Sequence, residues 1–185
     1  QLLWVNLVTD SLPAIALGLE PAEKDIMNRK PVNSRKGLFA DGLWSKIITE
    51  GILIGALTLV AFSIGNKWYG LEVGRTMAFV AIGVLELVHS FNIKSDKSIF
   101  KVGILENKFL LGSFILGVFV QTIVVIIPML ANIFKLVPLN FIQWGITLLI
   151  SIIPIPVIEL QKKINASRLE NVIDNGTGIL SKSRG

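Results

Sequence analysis

The sequence contains no cysteine and only one histidine, His89. Without cysteine, the chain can form no disulfide, and it offers no thiolate to a metal or to a nucleophilic mechanism. Charged residues are also scarce, at 17%, whereas 52% of the 185 residues are hydrophobic. A soluble domain of this size normally carries more charge. We therefore predict a membrane protein.

The positive charge of the chain does not indicate a nucleic-acid partner. The formal net charge is +5 at pH 7, but Lys and Arg occur in short segments between long apolar runs and not along one polar face. Such an arrangement is typical of loops that lie against anionic lipid headgroups. The expected partner is the lipid bilayer, and no nucleic acid is expected.

Long apolar runs are the main signal in the sequence. A hydrocarbon core about 30 Å thick needs about 20 apolar residues in a helix, and about five runs meet this requirement. They are continuously apolar, without the alternation of barrel strands, so helices are predicted. The fold class is all-α: a polytopic membrane helix bundle with about five transmembrane helices, at about 2–19, 44–64, 76–93, 109–134 and 141–160. These spans form one transmembrane domain, 1–160, and residues 161–185 form a polar C-terminal tail.

The distribution of Lys and Arg predicts the orientation of these spans. Basic residues are concentrated in the first link, the third link and the tail, whereas the second link has only Lys67 and Arg75 and the fourth has only Lys135. Because cytoplasmic loops are enriched in Lys and Arg, we expect the N-terminus outside and the tail in the cytoplasm. The chain starts at Gln1, almost directly inside an apolar run, so we expect it to be part of a longer protein.

Three polar residues interrupt the first span near its middle. Asn6 and Asp10 are four residues apart and Thr9 is three residues from Asn6, so their side-chain oxygens share one stripe of a helix. Pro13 has no N–H to donate to the carbonyl four residues before it, and it is expected to break the helix near Asp10 to Pro13. Freed carbonyls that line a polar cavity are good cation ligands.

A fourth polar residue, Glu86, is expected at the same depth in the third span. At about 1.5 Å per residue, Asp10 lies roughly 12 Å and Glu86 roughly 15 Å from the outer ends of their predicted spans. An acid at mid-membrane costs about 2.5–3.5 kcal/mol, and no basic residue stands at this depth to neutralise either one. A cation between them is the simplest explanation, and oxygen ligands favour Ca²⁺ over metals that prefer thiolate or imidazole. Two alternatives stay open, because Asn6, Thr9 and Asp10 could be a polar patch that joins helices, and Glu86 could be a protonated structural acid.

The same residues carry a resemblance to a known family. The stretch LLWVNLVTD, followed by LPAIALGLEP, resembles the sixth membrane helix of P-type calcium pumps of the sarco/endoplasmic reticulum kind and their bacterial relatives. DIMNRKP in the first link extends the resemblance, and TMAFVAIGVLELVHSFN in the third span is similar to the eighth membrane helix. The resemblance implies the C-terminal membrane region of such a pump, from the sixth to the tenth transmembrane helix, and we expect it in a bacterial cell membrane.

The resemblance implies a role for each of the four polar residues. Asn6, Thr9 and Asp10 match positions that coordinate Ca²⁺, with Asp10 bridging two sites, and Glu86 matches an acid that contributes to one of them. Ser11 departs from the usual glycine of the family, which implies a backbone that is less free to unwind. In these pumps, ATP with Mg²⁺ phosphorylates an aspartate in a DKTG motif, Ca²⁺ leaves the cytosol, and protons return on the same carboxylates.

The sequence lacks the parts of such a pump that use ATP. No DKTG motif occurs in these residues, so this chain alone is not expected to hydrolyse ATP. ATP and Mg²⁺ would belong to other parts of the protein, and the remainder of the same pump is the expected partner.

Other functions fit the same residues. A pump of this type could transport Mn²⁺ or Na⁺. An ion-coupled secondary transporter would bind Na⁺ or H⁺ at the broken helix without ATP, although such folds usually contain a matching broken helix in a second repeat, and this sequence shows only one. A non-catalytic membrane subunit would use the acids only to pair with a partner.

Overall fold

The computed structural model describes residues 1–19, 43–93 and 107–164, and every regular element in these three segments is a helix. The predicted all-α bundle is therefore confirmed. Within these segments, four helices are long and apolar enough to cross a membrane, and a shorter apolar helix, Leu3–Gly18, precedes them. The predicted first and third links and most of the predicted tail lie outside the described residues.

The first apolar helix consists of three consecutive parts. Helix α1 (Leu2–Val5) runs into a π-helix (Asn6–Asp10), and helix α2 (Ser11–Gly18) continues in α geometry. A π-helix pairs each carbonyl with the N–H five residues further on, and it is typical of a local defect in an α-helix. Pro13, in the first turn of α2, explains the defect because it has no N–H for the carbonyl four residues before it. The predicted break is present, in the form of a wide turn and not of an open backbone.

Helices α3 (Leu43–Tyr69) and α4 (Leu71–Ile93) form a tight hairpin. Only Gly70 separates them, and its φ of 96° is a conformation that favours glycine. Both helices extend beyond the predicted spans, because this one-residue turn leaves the polar residues on either side of it in helical conformation. Helix α4 is central to the bundle: 67% of its most apolar stretch is buried, compared with 17% for α3.

Two glycines allow α3 and α4 to approach each other closely. A Cβ at Gly65 would lie 2.7 Å from the Gly74 Cα and 2.8 Å from the Met77 sulfur. A Cβ at Gly74 would lie 2.8 Å from the backbone nitrogen of Asn66. These distances are shorter than van der Waals contact, so no larger residue fits at either position without moving the helices apart.

We expect Gly65→Ala to destabilise this hairpin, since overpacking of a close contact costs about 1–3 kcal/mol. The melting temperature of the purified protein in detergent should fall by several degrees. Gly112→Ala, in the helix that begins at Lys108, is the matched control, because nothing lies within 4 Å of a Cβ at that position among the described residues. Equal melting temperatures for the two variants would contradict the close packing.

Helix α5 (Lys108–Ile126) ends just before a proline, and helix α6 (Pro128–Ile133) begins at that proline. Ile127 between them is extended, with φ of −79° and ψ of 115°. A residue that precedes proline is disfavoured in the α region because its backbone clashes with the proline ring. The predicted span 109–134 is therefore divided into two helices.

Helix α7 (Phe141–Ile152) starts with a capping box, in which Asn140 and Gln143 exchange side-chain and backbone hydrogen bonds. After a turn at Ile153, residues 154–164 continue as a helix.

The buried apolar core of the described residues forms two clusters, and both of them include residues of α4. One cluster contains Val5, Phe79, Val80, Val84, Val88, Val124, Val125, Ala131 and Leu136, and the other contains Leu57, Ala61, Ala81, Leu85 and Ile150.

A buried glutamine joins α5 to α4. Gln121, for which the sequence indicates no role, is 1% exposed, and its Nε2 donates to the Phe79 carbonyl at 2.9 Å. Gly83 makes room for it, because a Cβ there would lie 2.7 Å from the Gln121 Nε2. Polar contacts of this kind hold helices together in membranes, and here the contact fixes the helix that carries Glu86.

Candidate functional site

The structure brings Thr9 and Glu86 into direct contact. Thr9 belongs to the π-helix and is 1% exposed, and its Oγ1 lies 2.6 Å from Oε2 of Glu86 on α4. The two residues are 77 positions apart in the chain. Two of the four predicted site residues therefore meet where the irregular part of the first helix contacts the central helix.

The Thr9 hydroxyl has a second close neighbour. Its Oγ1 is also 2.6 Å from the Val5 carbonyl oxygen, four residues earlier in the same helix. A hydroxyl has one proton and can donate it to only one acceptor. When Thr9 donates to Val5, its contact with Glu86 is a hydrogen bond only if the carboxyl group carries a proton and donates it to Thr9. When Thr9 donates to Glu86 instead, the carboxyl group can be ionised.

Asn6 and Asp10 lie differently from Thr9. Both are exposed, and neither side chain makes a hydrogen bond to another residue in the described segments. The wide turn of a π-helix changes the angle between residues three apart, so Thr9 points away from the side on which Asn6 and Asp10 are exposed. Asp10 is nevertheless close enough to Glu86 for their charges to interact.

The four residues do not form a closed ligand set on their own. Within 1–19, 43–93 and 107–164, no group of three or more acidic or histidine side chains could hold a metal ion. Ca²⁺ takes about 6–8 oxygen ligands, more than Asn6, Thr9, Asp10 and Glu86 can supply with one oxygen each. The exposed sides of Asn6 and Asp10 are where further ligands would have to approach.

Ser11 stabilises the wide turn in place of opening it. Its Oγ donates to the Asn6 carbonyl at 3.5 Å, across the π-helix. Pro13 is buried behind this turn. The backbone around Ser11 is helical in this structure, and the expected effect of serine on its freedom to unwind stays a prediction.

A separate polar cluster occupies the end of the bundle near residue 93. His89 Nε2 lies 3.3 Å from Oε2 of Glu50 on α3, and Lys162 Nζ donates to the Asn92 carbonyl at 2.9 Å. Lys46 lies four residues before Glu50 in α3, a spacing at which helix side chains are neighbours. Pairing of Glu50 with His89 depends on the rotation of α3 against α4, for which the sequence holds no signal.

Asn107 is a buried polar residue that was not among the site residues predicted from the sequence. Its Oδ1 accepts from the Leu110 backbone N–H, and its Nδ2 donates to the Ala16 carbonyl. An asparagine just before an apolar run is a signal for a helix N-cap. That signal was available at 107, but the contact with Ala16 was not predictable from it.

The described helices define a polytopic integral membrane protein with acidic side chains inside its apolar helices. Its family follows from comparison with known proteins. Residues 1–164 match the family model described as cation transporting ATPase, C-terminus, and the chain belongs to this family. The resemblance drawn from the sequence is thereby confirmed.

Individual relatives are calcium-transporting ATPases. Calcium-transporting ATPase 1 of Bacillus cereus is 43% identical over 180 residues, which cover 88% of this chain and 20% of the relative. The calcium-transporting ATPase of Bacillus subtilis is 36% identical over 156 residues, covering 83% of this chain and 18% of the relative. An endoplasmic reticulum calcium ATPase of Aspergillus fumigatus is 27% identical over 195 residues, covering 88% and 20%. The chain spans about a fifth of the length of these relatives.

Proposed function

We propose that this chain forms the C-terminal part of the membrane domain of an ATP-driven calcium pump. In this proposal Asn6, Thr9, Asp10 and Glu86 supply oxygen ligands to Ca²⁺, the transported ion, which leaves the cytosol. The observation that carries the proposal is the 2.6 Å contact between Thr9 Oγ1 and Glu86 Oε2, because it joins the two predicted ligand helices at the level of their acids. The calcium-transporting ATPases of the two Bacillus species support the choice of ion.

Protons are the proposed counter-ions. The Val5 carbonyl and Glu86 both lie within hydrogen-bond distance of the Thr9 hydroxyl. When no cation is bound, a proton on Glu86 allows Glu86 to donate to Thr9 while Thr9 donates to Val5. A cation near Glu86 would displace that proton, since like charges repel each other strongly in a medium of low dielectric. One carboxylate can thus serve Ca²⁺ in one direction and H⁺ in the other.

The proposal assigns the remaining ligands and the chemistry to other parts of the pump. ATP and Mg²⁺ act in domains outside this sequence, and the rest of the same pump supplies the oxygens that complete the Ca²⁺ site on the exposed sides of Asn6 and Asp10. In this proposal residues 1–160 form the transmembrane domain, and 161–185 form a cytoplasmic tail. We place the N-terminus outside and the membrane in a bacterial cell, as the distribution of Lys and Arg and the bacterial relatives indicate.

Uptake of radioactive Ca²⁺ into inverted membrane vesicles that contain the complete protein tests this proposal. We expect uptake that requires ATP and persists when ionophores collapse the proton and sodium gradients. Uptake that a proton or sodium gradient drives without ATP would identify a secondary transporter instead. Vesicles that take up Mn²⁺ or Na⁺ with ATP, but no Ca²⁺, would retain the pump and overturn the assigned ion.

A further inference from the structure

One side chain joins the end of the first apolar helix to the start of α5. Asn107 is 3% exposed, its Oδ1 accepts from the Leu110 N–H at 2.8 Å, and its Nδ2 donates to the Ala16 carbonyl at 3.2 Å. Ala16 is 91 residues away in the chain and is itself 3% exposed. Asn107 therefore caps the N-terminus of one helix and the C-terminal turn of another.

Asn107 donates to the Ala16 carbonyl from another part of the chain. Ala16 lies in the last turn of α2 (Ser11–Gly18), where helix carbonyls have no N–H partner within the helix. A buried carbonyl without a donor is costly, above all where no water replaces the donor. Asn107 is suited to the task because an amide has both an acceptor for α5 and a donor for α2.

This contact and the contact between Thr9 and Glu86 lie on either side of Asp10 along the first helix. On one side of Asp10, Thr9 contacts Glu86 of α4; on the other side, α2 ends at the carbonyl bound by Asn107. The distance along α2 is short, about 12 Å for its eight residues. The direction in which Asp10 points is therefore determined at one end by α4 and at the other end by α5.

We propose that Asn107 is a positioning residue for the cation site. Through its hydrogen bond to the Ala16 carbonyl, Asn107 holds α2 against α5. Asp10 and Thr9 therefore keep the orientation in which they coordinate the ion. This inference rests on the proposed function, since it takes Asp10 and Thr9 to be cation ligands. Asn107 itself does not touch the ion.

Two substitutions separate the donor of Asn107 from its capping role. Asn107→Asp keeps an acceptor for the Leu110 N–H, since aspartate is as good an N-cap as asparagine, but it loses the donor to Ala16. Asn107→Ser also caps α5 and is too short to reach Ala16 at the same time. Both variants should therefore fold with an intact start of α5.

The experiment measures the calcium dependence of phosphorylation by ATP in the complete protein. We expect the calcium concentration for half-maximal phosphorylation to rise about three- to tenfold in both variants, the effect of one lost buried hydrogen bond. The maximal phosphorylation should stay close to that of the wild type, whereas the melting temperature should fall by a few degrees, because the buried Ala16 carbonyl loses this donor. A role in stability alone would lower those two quantities and leave the calcium dependence unchanged, which would overturn the inference.

Asn140→Asp is the matched control. Asn140 caps α7 through its Oδ1, as Asn107 caps α5, and its Nδ2 makes no hydrogen bond within the described residues. Wild-type calcium dependence is expected for this variant, and a shift equal to that of Asn107→Asp would overturn the inference. Failure of the proposed function would be visible separately, because the wild type itself would then show no phosphorylation that depends on calcium.

Discussion

The Asp10→Asn variant of the complete protein is expected to lose its calcium-stimulated phosphorylation by ATP. Asparagine has nearly the shape of aspartate but no charge, and the calcium affinity of an oxygen site depends strongly on its number of carboxylates. The calcium concentration required for half-maximal phosphorylation should rise by about a hundredfold or more. Because Asp10 is exposed and its side chain makes no hydrogen bond within the described segments, the substitution should remove charge without disturbing the helix.

Glu72→Gln provides the comparison for this variant. Glu72 is an exposed acid in the first turn of α4, at the end opposite to the polar cluster of His89 and Glu50. The same loss of one negative charge at this position should leave the calcium dependence unchanged. Phosphorylation of Asp10→Asn with the calcium dependence of the wild type would remove Asp10 from the proposed site.

The helices were predictable because a continuous apolar run in a bilayer excludes strands and irregular backbone. A continuous apolar run in a bilayer must satisfy its backbone hydrogen bonds internally, and only a helix does so within one segment. Pro13 also predicted where the regular geometry of the first helix fails, since a proline removes a donor whatever surrounds it. These are local effects, so one sequence is sufficient to predict them.

Contacts between helices could not be predicted in the same way. Thr9 meets Glu86 from within the π-helix, whereas the sequence alone predicts a regular helix with Asn6 and Thr9 on one stripe. Asn107 and Ala16 are 91 residues apart, and their contact depends on how α2 and α5 pack. The sequence predicts the depth of each polar residue, whereas the rotation and packing of the helices decide which of them meet.

Thr9→Val and Glu86→Gln are expected to be strongly coupled in their effect on calcium affinity. Thr9→Val should raise the calcium concentration for half-maximal phosphorylation about tenfold, and Glu86→Gln about a hundredfold. Thr9→Val removes the hydroxyl of the 2.6 Å contact. Glu86→Gln can keep a hydrogen bond to Thr9 through its amide but removes the carboxylate that this contact positions. The double variant should therefore stay near a hundredfold and not reach a thousandfold. The difference corresponds to a coupling of about 1.4 kcal/mol, within the range measured for residues in contact.

Thr58→Val separates the loss of a hydroxyl from the loss of this contact. Thr58 donates to the carbonyl four residues before it, at 2.9 Å, as Thr9 can, but within the described segments it has no acidic partner on another helix. Thr58→Val should leave the calcium affinity unchanged and should show no coupling to Glu86→Gln. If the effects of Thr9→Val and Glu86→Gln simply multiply, the two residues act on the ion independently, and their contact has no part in binding. Coupling of the expected size would instead mean that Thr9 and Glu86 bind the ion as one unit. The Thr9 hydroxyl would then matter mainly because it positions the Glu86 carboxylate.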